Sequence, residues 1–313
     1  MSTHVAEPPA PKIPFIDSTP LLEDMFALRA RASEDGFLFF RQFLPKEDLL
    51  TLREEMLGVV ERHGWRHPNQ GPLGGKLNLE ALNLVPDEAM RTDIGVSHAA
   101  YNNTQKLESL HRLPHHPKLV QFYRDFFADE VLVHPRHIAR MVTGHRVMAP
   151  TPPHQDFPLI QGTAHTWTCW FPLGDCPRSL GGLSILKGSH REGYQPIQPS
   201  KGAGNITVPL CPWETSWAEG EYEAGDIITF PSHTIHKALR CREKDEIRLS
   251  LDVRYQAVSQ PVEQKSLLPH CDLSWEDIYS GWKSGEFQYY WQKLPLQLSP
   301  WNDDYLKPAR RIC

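Results

Sequence analysis

Long apolar runs are missing from this 313-residue chain. No stretch approaches the roughly 18 apolar residues of a spanning helix, so no membrane span is expected. A surplus of one charge is also missing. With 33 Lys and Arg against 38 Asp and Glu, the net charge is -5 with His neutral. That balance gives no electrostatic reason to expect nucleic acid or an anionic membrane as partner. No C-x-x-C pair occurs among Cys169, Cys176, Cys211, Cys241, Cys271 and Cys313, so neither a zinc ribbon nor a thioredoxin-like redox motif is expected. Six cysteines spread so thinly read as reduced thiols. Residues 1–11 lack the basic and apolar regions of a leader, and Arg310–Cys313 matches neither a peroxisomal tripeptide nor a prenylation box, so cytoplasm is the default expectation. No internal repeat or low-complexity tract is visible.

What is present is ordinary globular composition, 40% hydrophobic and 23% charged, enough for a sizeable core. The 28 prolines and 20 glycines cut regular elements short and favour a loop-rich β core over a helical bundle. Residues 1–14 read as a disordered Pro-rich tail. Helical spacing of Leu21, Leu22, Met25 and Leu28 predicts a helix from Pro20 to about Glu34, stopped by Gly36. A short strand at Phe37–Phe40 follows, then a helix with Pro45 in its first turn and Gly64 at its end. Further helices are expected near Leu79–Leu84 and at Leu119–Phe127. From Glu130 onward the character changes to short β-like runs at Val131–Val133, Ile138–Val142, Trp167–Leu173, Leu183–Leu186, Asp226–Phe230, Ile235–Leu239 and Ile247–Tyr255. Strands without intervening helices indicate a jelly roll or barrel. An aromatic-rich segment closes the chain. The expected organisation is one catalytic domain over 15–313: a helical part (15–129), a β core (130–256) and a C-terminal extension (257–313).

Chemistry is suggested by three H-x-[D/E] pairs: His154/Asp156, His190/Glu192 and His270/Asp272. The spacing alone has little weight, since about two such pairs arise by chance with 16 histidines. Context separates them. His270 has no later histidine, and His190 lies in a turn-like Lys187–His190 stretch. His154 and Asp156, read as strand residues, would share one face and chelate one metal. A second histidine downstream would complete a facial triad suited to iron(II), with open positions left over. His236 is the favoured partner, with His233 its rival. Next comes Arg248–Tyr255, where Leu249, Leu251 and Val253 alternate with polar residues. That polar face lies either in water at a sheet edge or inside a barrel. In the second case Arg248 could grip a carboxylate with help from Ser250. Arg240 and Arg254 are alternative anchors.

The order of these pieces is informative: His154-x-Asp156, the strand at Trp167–Leu173, Leu180–His190, Gly225-Asp226 through Phe230, His236, then Arg248-x-Ser250 and Arg254-Tyr255. It resembles the phytanoyl-CoA dioxygenase family of iron(II)/2-oxoglutarate oxygenases, most fully over residues 130–256. The resemblance implies a mainly β double-stranded β-helix (a cupin-like jelly roll) with helical additions. It implies iron(II) on His154, Asp156 and His236, 2-oxoglutarate anchored by Arg248 and Ser250 near Trp170, and O2 as oxidant. Where some members carry Ser two residues after the distal histidine, this chain has Ala238. The expected reaction is hydroxylation, desaturation or ring closure of a small organic molecule, with succinate and CO2 formed. The carboxylate at 156 disfavours halogenation. His190 would belong to a structural turn. Residues 65–115 and the aromatic C-terminal segment are expected to cover the barrel mouth. Lys76, Asn78, His98, Tyr101, Asn102, His145, Arg146 and Gln155 are polar candidates there. A monomer or homodimer is expected. The competing readings are a cupin-type metal enzyme without 2-oxoglutarate and a silent binding protein on the same barrel.

Overall fold

The computed structural model describes residues 12–313. Residues 1–11 of the expected tail lie outside the described residues. The rest of that tail is docked. Ile13 bridges to Ala218, and Lys12 pairs with Glu219 at 2.7 Å.

The helices are α1 (Met25–Asp35), α2 (Lys46–Arg62), α3 (Leu79–Asn83), α4 (His98–Gln105), α5 (Glu108–Arg112), α6 (Pro117–Phe127), α7 (Phe157–Ile160) and α8 (Trp275–Tyr279). The strands are β1 (Leu38–Phe40), β2 (Val131–Val133), β3 (Ile138–Val142), β4 (Trp167–Pro172), β5 (Leu183–Leu186), β6 (Gln198–Pro199), β7 (Ile206–Thr207), β8 (Trp217–Glu219), β9 (Ile227–Pro231), β10 (His236–Ala238), β11 (Arg248–Ala257), β12 (Val262–Glu263) and β13 (Leu298–Ser299). The first helix starts later than its apolar spacing suggests. Thr19–Leu21 form a separate 3₁₀ turn, and the Asp24 carboxylate caps α1 by accepting from the Ala27 amide. Gly36, at φ 76°, ends it in the left-handed conformation that a C-cap demands. Pro45 is the N-cap of α2 rather than part of its first turn.

Two antiparallel sheets form the β-helix. The larger runs β1-β9-β4-β11-β2, with β3 pairing the first half of β11 and β2 its end. The smaller runs β10-β5-β8. Strand alternation sorts the larger sheet into two faces. Leu38, Phe40, Trp167, Cys169, Phe171, Leu249, Leu251, Val253 and Tyr255 belong to one apolar cluster with residues of α1, α2, α4 and α6. The opposite face carries Phe39, Trp170, Ile228 and Phe230, which pack with Leu183, Ile185 and Ala218 of the smaller sheet. The helices thus cover the outside of the larger sheet, while its inner face meets the smaller one. Between the two the interior is polar along β11, and that strip positions the site.

The C-terminal segment builds its own cluster, with Trp275, Ile278, Tyr279 and Trp291 against Leu132, Val258 and Val262. The chain then returns along residues 195–214. Ala309 donates to the Ile197 carbonyl, and Arg311 forms a two-pronged pair with Glu214. This return brings Cys211 and Cys313 into a disulfide across 102 residues. The expectation of six reduced thiols is therefore corrected to four free cysteines and one bonded pair. No local spacing could have announced it, because docking of the tail creates the proximity. Replacing Cys313 by Ser should lower unfolding free energy by about 2–4 kcal/mol in an oxidising buffer. The difference should vanish once dithiothreitol is added, as measured by urea unfolding.

Two buried histidines set an acid limit. Burial pushes His111 and His134 each down to about 4, against the opposing pull of a hydrogen bond to the Gln105 carbonyl and to the Gln256 side chain respectively. Unfolding releases them to about 6.5. The unfolded chain then binds protons that the native state refuses, so stability is full above that pH and falls as acid is added. The slope of unfolding free energy from these two groups should be about 2 kcal/mol per pH unit between roughly pH 6 and 5. Urea titrations at stepped pH check this.

Candidate metal and cosubstrate site

The site starts from a backbone pair. The His154 amide donates to the His236 carbonyl at 2.9 Å, and the His236 amide returns the bond at 3.0 Å. Such a reciprocal antiparallel pair sets two side chains side by side on one face. Their ring centroids are 4.2 Å apart. Each Nδ1 faces a carbonyl two residues earlier, Pro152 O at 2.9 Å for His154 and Thr234 O at 3.1 Å for His236. A carbonyl can only accept, so each Nδ1 carries the ring proton and each Nε2 lone pair is free.

Asp156 does not sit on a strand beside His154 as its spacing suggests. It is the N-cap of α7, where the chain has left the smaller sheet. Its carboxylate is nevertheless brought to the imidazoles, with Oδ1 3.8 Å from His154 Nε2 and 3.9 Å from His236 Nε2. One donor atom from each of the three residues lies within 4.8 Å of the others. The other oxygen, Oδ2, accepts from the Thr168 hydroxyl and faces Arg254 Nη2 at 3.5 Å.

The protonation states suit a divalent cation. Burial, then the neighbouring His236, pushes His154 down to about 3 against the pull of Asp156. His236 is lowered, chiefly by burial. Burial alone would raise the Asp156 carboxyl. Arg254, the two histidines and the Thr168 hydrogen bond together outweigh it and hold the group well below the usual range. Two neutral imidazoles and one carboxylate, with the ring protons already satisfied, fit a 2-His-1-carboxylate metal site.

Beside this triad lies a cavity of about 430 Å³ lined by His154, Asp156, His236, Thr168, Trp170 and Arg248. The polar face of β11 points inward, which decides between the two readings of that strand. Arg248 is 5% exposed, lies 5.6 Å over the Trp170 ring and donates through Nη1 to the Gly181 carbonyl. Its Nε has no partner, and no carboxylate lies within salt-bridge distance among the described residues. The Ser250 hydroxyl on the same face is also buried and unpartnered. A buried cation without a counter-ion is costly, so these residues fit an anionic ligand. Arg140 of β3 is already occupied, pairing with Asp252 at 2.7 Å and donating to the Asp93 carbonyl.

The other sequence candidates scatter. His145 and Arg146 line the cavity, whereas Lys76, Asn78, His98, Tyr101, Asn102 and Gln155 do not. Asn78 caps α3, Tyr101 bonds His270, and the Gln155 amide clamps the Gly193 and His233 carbonyls. His233 meets the Phe157 ring edge-on, outside the triad, and His190 Nε2 donates to the Ser33 carbonyl near the end of α1. Leu79, Asn83, Thr92 and Asp93 supply part of the cavity wall from the 65–115 region. The aromatic C-terminal segment contributes no lining residue, contrary to expectation; Trp275, Trp282 and Trp291 turn into their own cluster. Thr168 and Arg140 escaped the sequence reading, since neither belongs to a spaced motif.

The family model for Phytanoyl-CoA dioxygenase (PhyH) matches residues 32–248. The chain belongs to this family. As a PhyH-family protein it is an iron(II)/2-oxoglutarate-dependent dioxygenase, using O2. A 1-deoxypentalenic acid 11-beta-hydroxylase from Streptomyces arenae is 27% identical over 268 residues, covering 82% of this chain and 89% of the relative. The hydroxylase of the same name from Streptomyces exfoliatus is 24% identical over the same shares. Among solved structures, the epimerase SnoN, crystallised with Fe3+, alpha ketoglutarate and nogalamycin RO, is 19% identical with a TM-score of 0.53 over 76% of this chain and 85% of its own. The carbocyclase SnoK from nogalamycin biosynthesis is 18% identical with a TM-score of 0.53 over 76% and 87%. These two likenesses show that the PhyH chain shares their fold. No helix of the described residues is long and apolar enough to cross a membrane.

Proposed function

We propose that this dioxygenase hydroxylates a small organic molecule, with iron(II) held by His154, Asp156 and His236 and the far carboxylate of 2-oxoglutarate held by Arg248. The observation that carries the reading is the coexistence of a preformed neutral donor set and a buried, unpaired guanidinium on one cavity. A cupin-type enzyme without 2-oxoglutarate would have no use for that guanidinium. Hydroxylation is favoured by the two hydroxylase relatives.

Iron(II) and 2-oxoglutarate, when bound, supply O2 activation and C–H oxidation, releasing succinate and CO2. The chain does the rest. Arg248 Nε and the Ser250 hydroxyl are buried donors without partners, so the far carboxylate can be gripped without disturbing any existing pair. Trp170 forms a flat wall under the guanidinium and limits its orientation. The Nδ1 hydrogen bonds keep both imidazoles in the ligating tautomer and fix ring direction. Val142, Met148, Leu183, Phe230 and Leu239 contribute apolar wall to the cavity, which suits an organic substrate. A cavity of about 430 Å³ has room for a small metabolite beside the cosubstrate.

Anaerobic optical titration with iron(II) and then 2-oxoglutarate tests the assignment. The wild type should develop a weak visible charge-transfer band only with both present. His154→Ala should lose iron binding with an unchanged far-UV circular dichroism spectrum. Wild-type iron affinity in that variant would sink the metal assignment. Arg248→Met should keep iron affinity while weakening 2-oxoglutarate at least about tenfold. It should also leave the ligand-free protein no less stable than wild type, because the side chain removed is a buried charge without a counter-ion. An unchanged 2-oxoglutarate affinity would move the anchor to another arginine.

A further inference from the structure

Asp156 poses a geometric problem that the two histidines do not. They are locked by a backbone pair, whereas the carboxylate hangs from the first residue before a four-residue helix. Nothing in its own segment fixes where its oxygens point, and its side chain makes no cap bond to α7. Both of its side-chain donors come from the larger sheet. Thr168 of β4 and Arg254 of β11 are direct cross-strand partners in register, and both address the same oxygen, Oδ2.

Arg254 is buried, at 6% exposure, and Asp156 is the one carboxylate within salt-bridge distance of it among the described residues. Its Nε has no partner. The guanidinium therefore stays paired in the interior only through the proposed iron ligand. With Oδ2 occupied from one side, Oδ1 is the oxygen left facing the imidazole Nε2 atoms.

Resting on the iron site argued above, we propose that Arg254, together with Thr168, is a positioning residue for the metal. It reserves Oδ2 so that Asp156 presents a single oxygen to iron and leaves neighbouring positions free. It touches neither substrate nor the anchored end of the cosubstrate, which separates its role from that of Arg248. The arrangement also turns a loop-borne ligand into one whose position is set by the sheet.

The test is iron(II) affinity, measured by anaerobic titration of the full-length protein, with cobalt(II) absorption as a second probe. Arg254→Met should weaken iron(II) binding by about 10- to 100-fold. 2-Oxoglutarate affinity, measured at saturating iron, should change far less. The cobalt(II) d–d bands should shift, since freeing Oδ2 allows a second oxygen onto the metal. Arg254→Lys should restore much of the affinity. Thr168→Val, a milder change to the other donor, should give a smaller loss of the same kind, and it serves if Arg254→Met does not fold. Wild-type iron affinity and an unmoved cobalt spectrum in Arg254→Met, or in Thr168→Val if the former is unfolded, would overturn the proposal. A large loss of 2-oxoglutarate affinity with iron affinity intact would overturn it too, by making Arg254 a cosubstrate anchor. Failure of the wild type itself to bind iron would instead overturn the metal reading beneath it, so the two failures are distinguishable.

Discussion

The reciprocal backbone hydrogen bonds between His154 and His236 are the constraint on which the site depends. They join a loop that precedes α7 to the edge of the smaller sheet, and in doing so they align two imidazoles from segments 82 residues apart (236 minus 154). A pair of main-chain bonds is hard to displace, because breaking it would strand four buried polar groups. Side-chain detail then follows. The Nδ1 protons go to the nearest carbonyls, the lone pairs converge, and the carboxylate is drawn in from below by the larger sheet. The segment before His154 is braced in turn, since the Val208 amide and the Thr207 hydroxyl both donate to the Pro153 carbonyl.

The buried polar strip along β11 runs against the usual economy of a protein interior. Arg248, Ser250, Asp252, Arg254 and Gln256 all point inward between two apolar surfaces. Three of them are satisfied there: Asp252 is neutralised by Arg140, Arg254 by Asp156, and Gln256 is hydrogen-bonded to His134 and Thr166. Arg248 alone among the charged members has no neutraliser, and Ser250 no partner. Stability is given up at that point, as expected where a ligand is to complete the structure.

Much of this was legible in the sequence. The alternation at Leu249, Leu251 and Val253 located the strand and its apolar face, and the order of motifs pointed to the barrel and to His154, Asp156 and His236 as a set. Strand boundaries at Val131–Val133, Ile138–Val142 and Leu183–Leu186 follow directly from short β-branched and aliphatic runs between turns. What was illegible required the third dimension. Asp156 left the strand because Phe157 and Pro158 open a helical turn there. The disulfide depended on the path of the returning tail, and Thr168 became part of the site only through its register opposite Arg254. Helices α4 and α5 went unread, since their buried positions (Ala100, Tyr101, Thr104 and Gln105 in α4, Leu110 and His111 in α5) include few apolar residues to mark a face.

The two faces of β11 have a consequence for how such a chain can vary. Every odd-numbered position from Leu249 to Tyr255 belongs to the outer apolar cluster, and every even-numbered one to the interior strip. Substitution of a single residue disturbs one side only. Gain or loss of one residue would exchange the sides wholesale, presenting guanidinium groups to the helices and leucines to the interior strip. The length of the strand is therefore under a tighter constraint than its composition, and the turn at residues 240–246 offers little slack before it, because Arg240, Cys241, Glu243 and Lys244 already line the cavity.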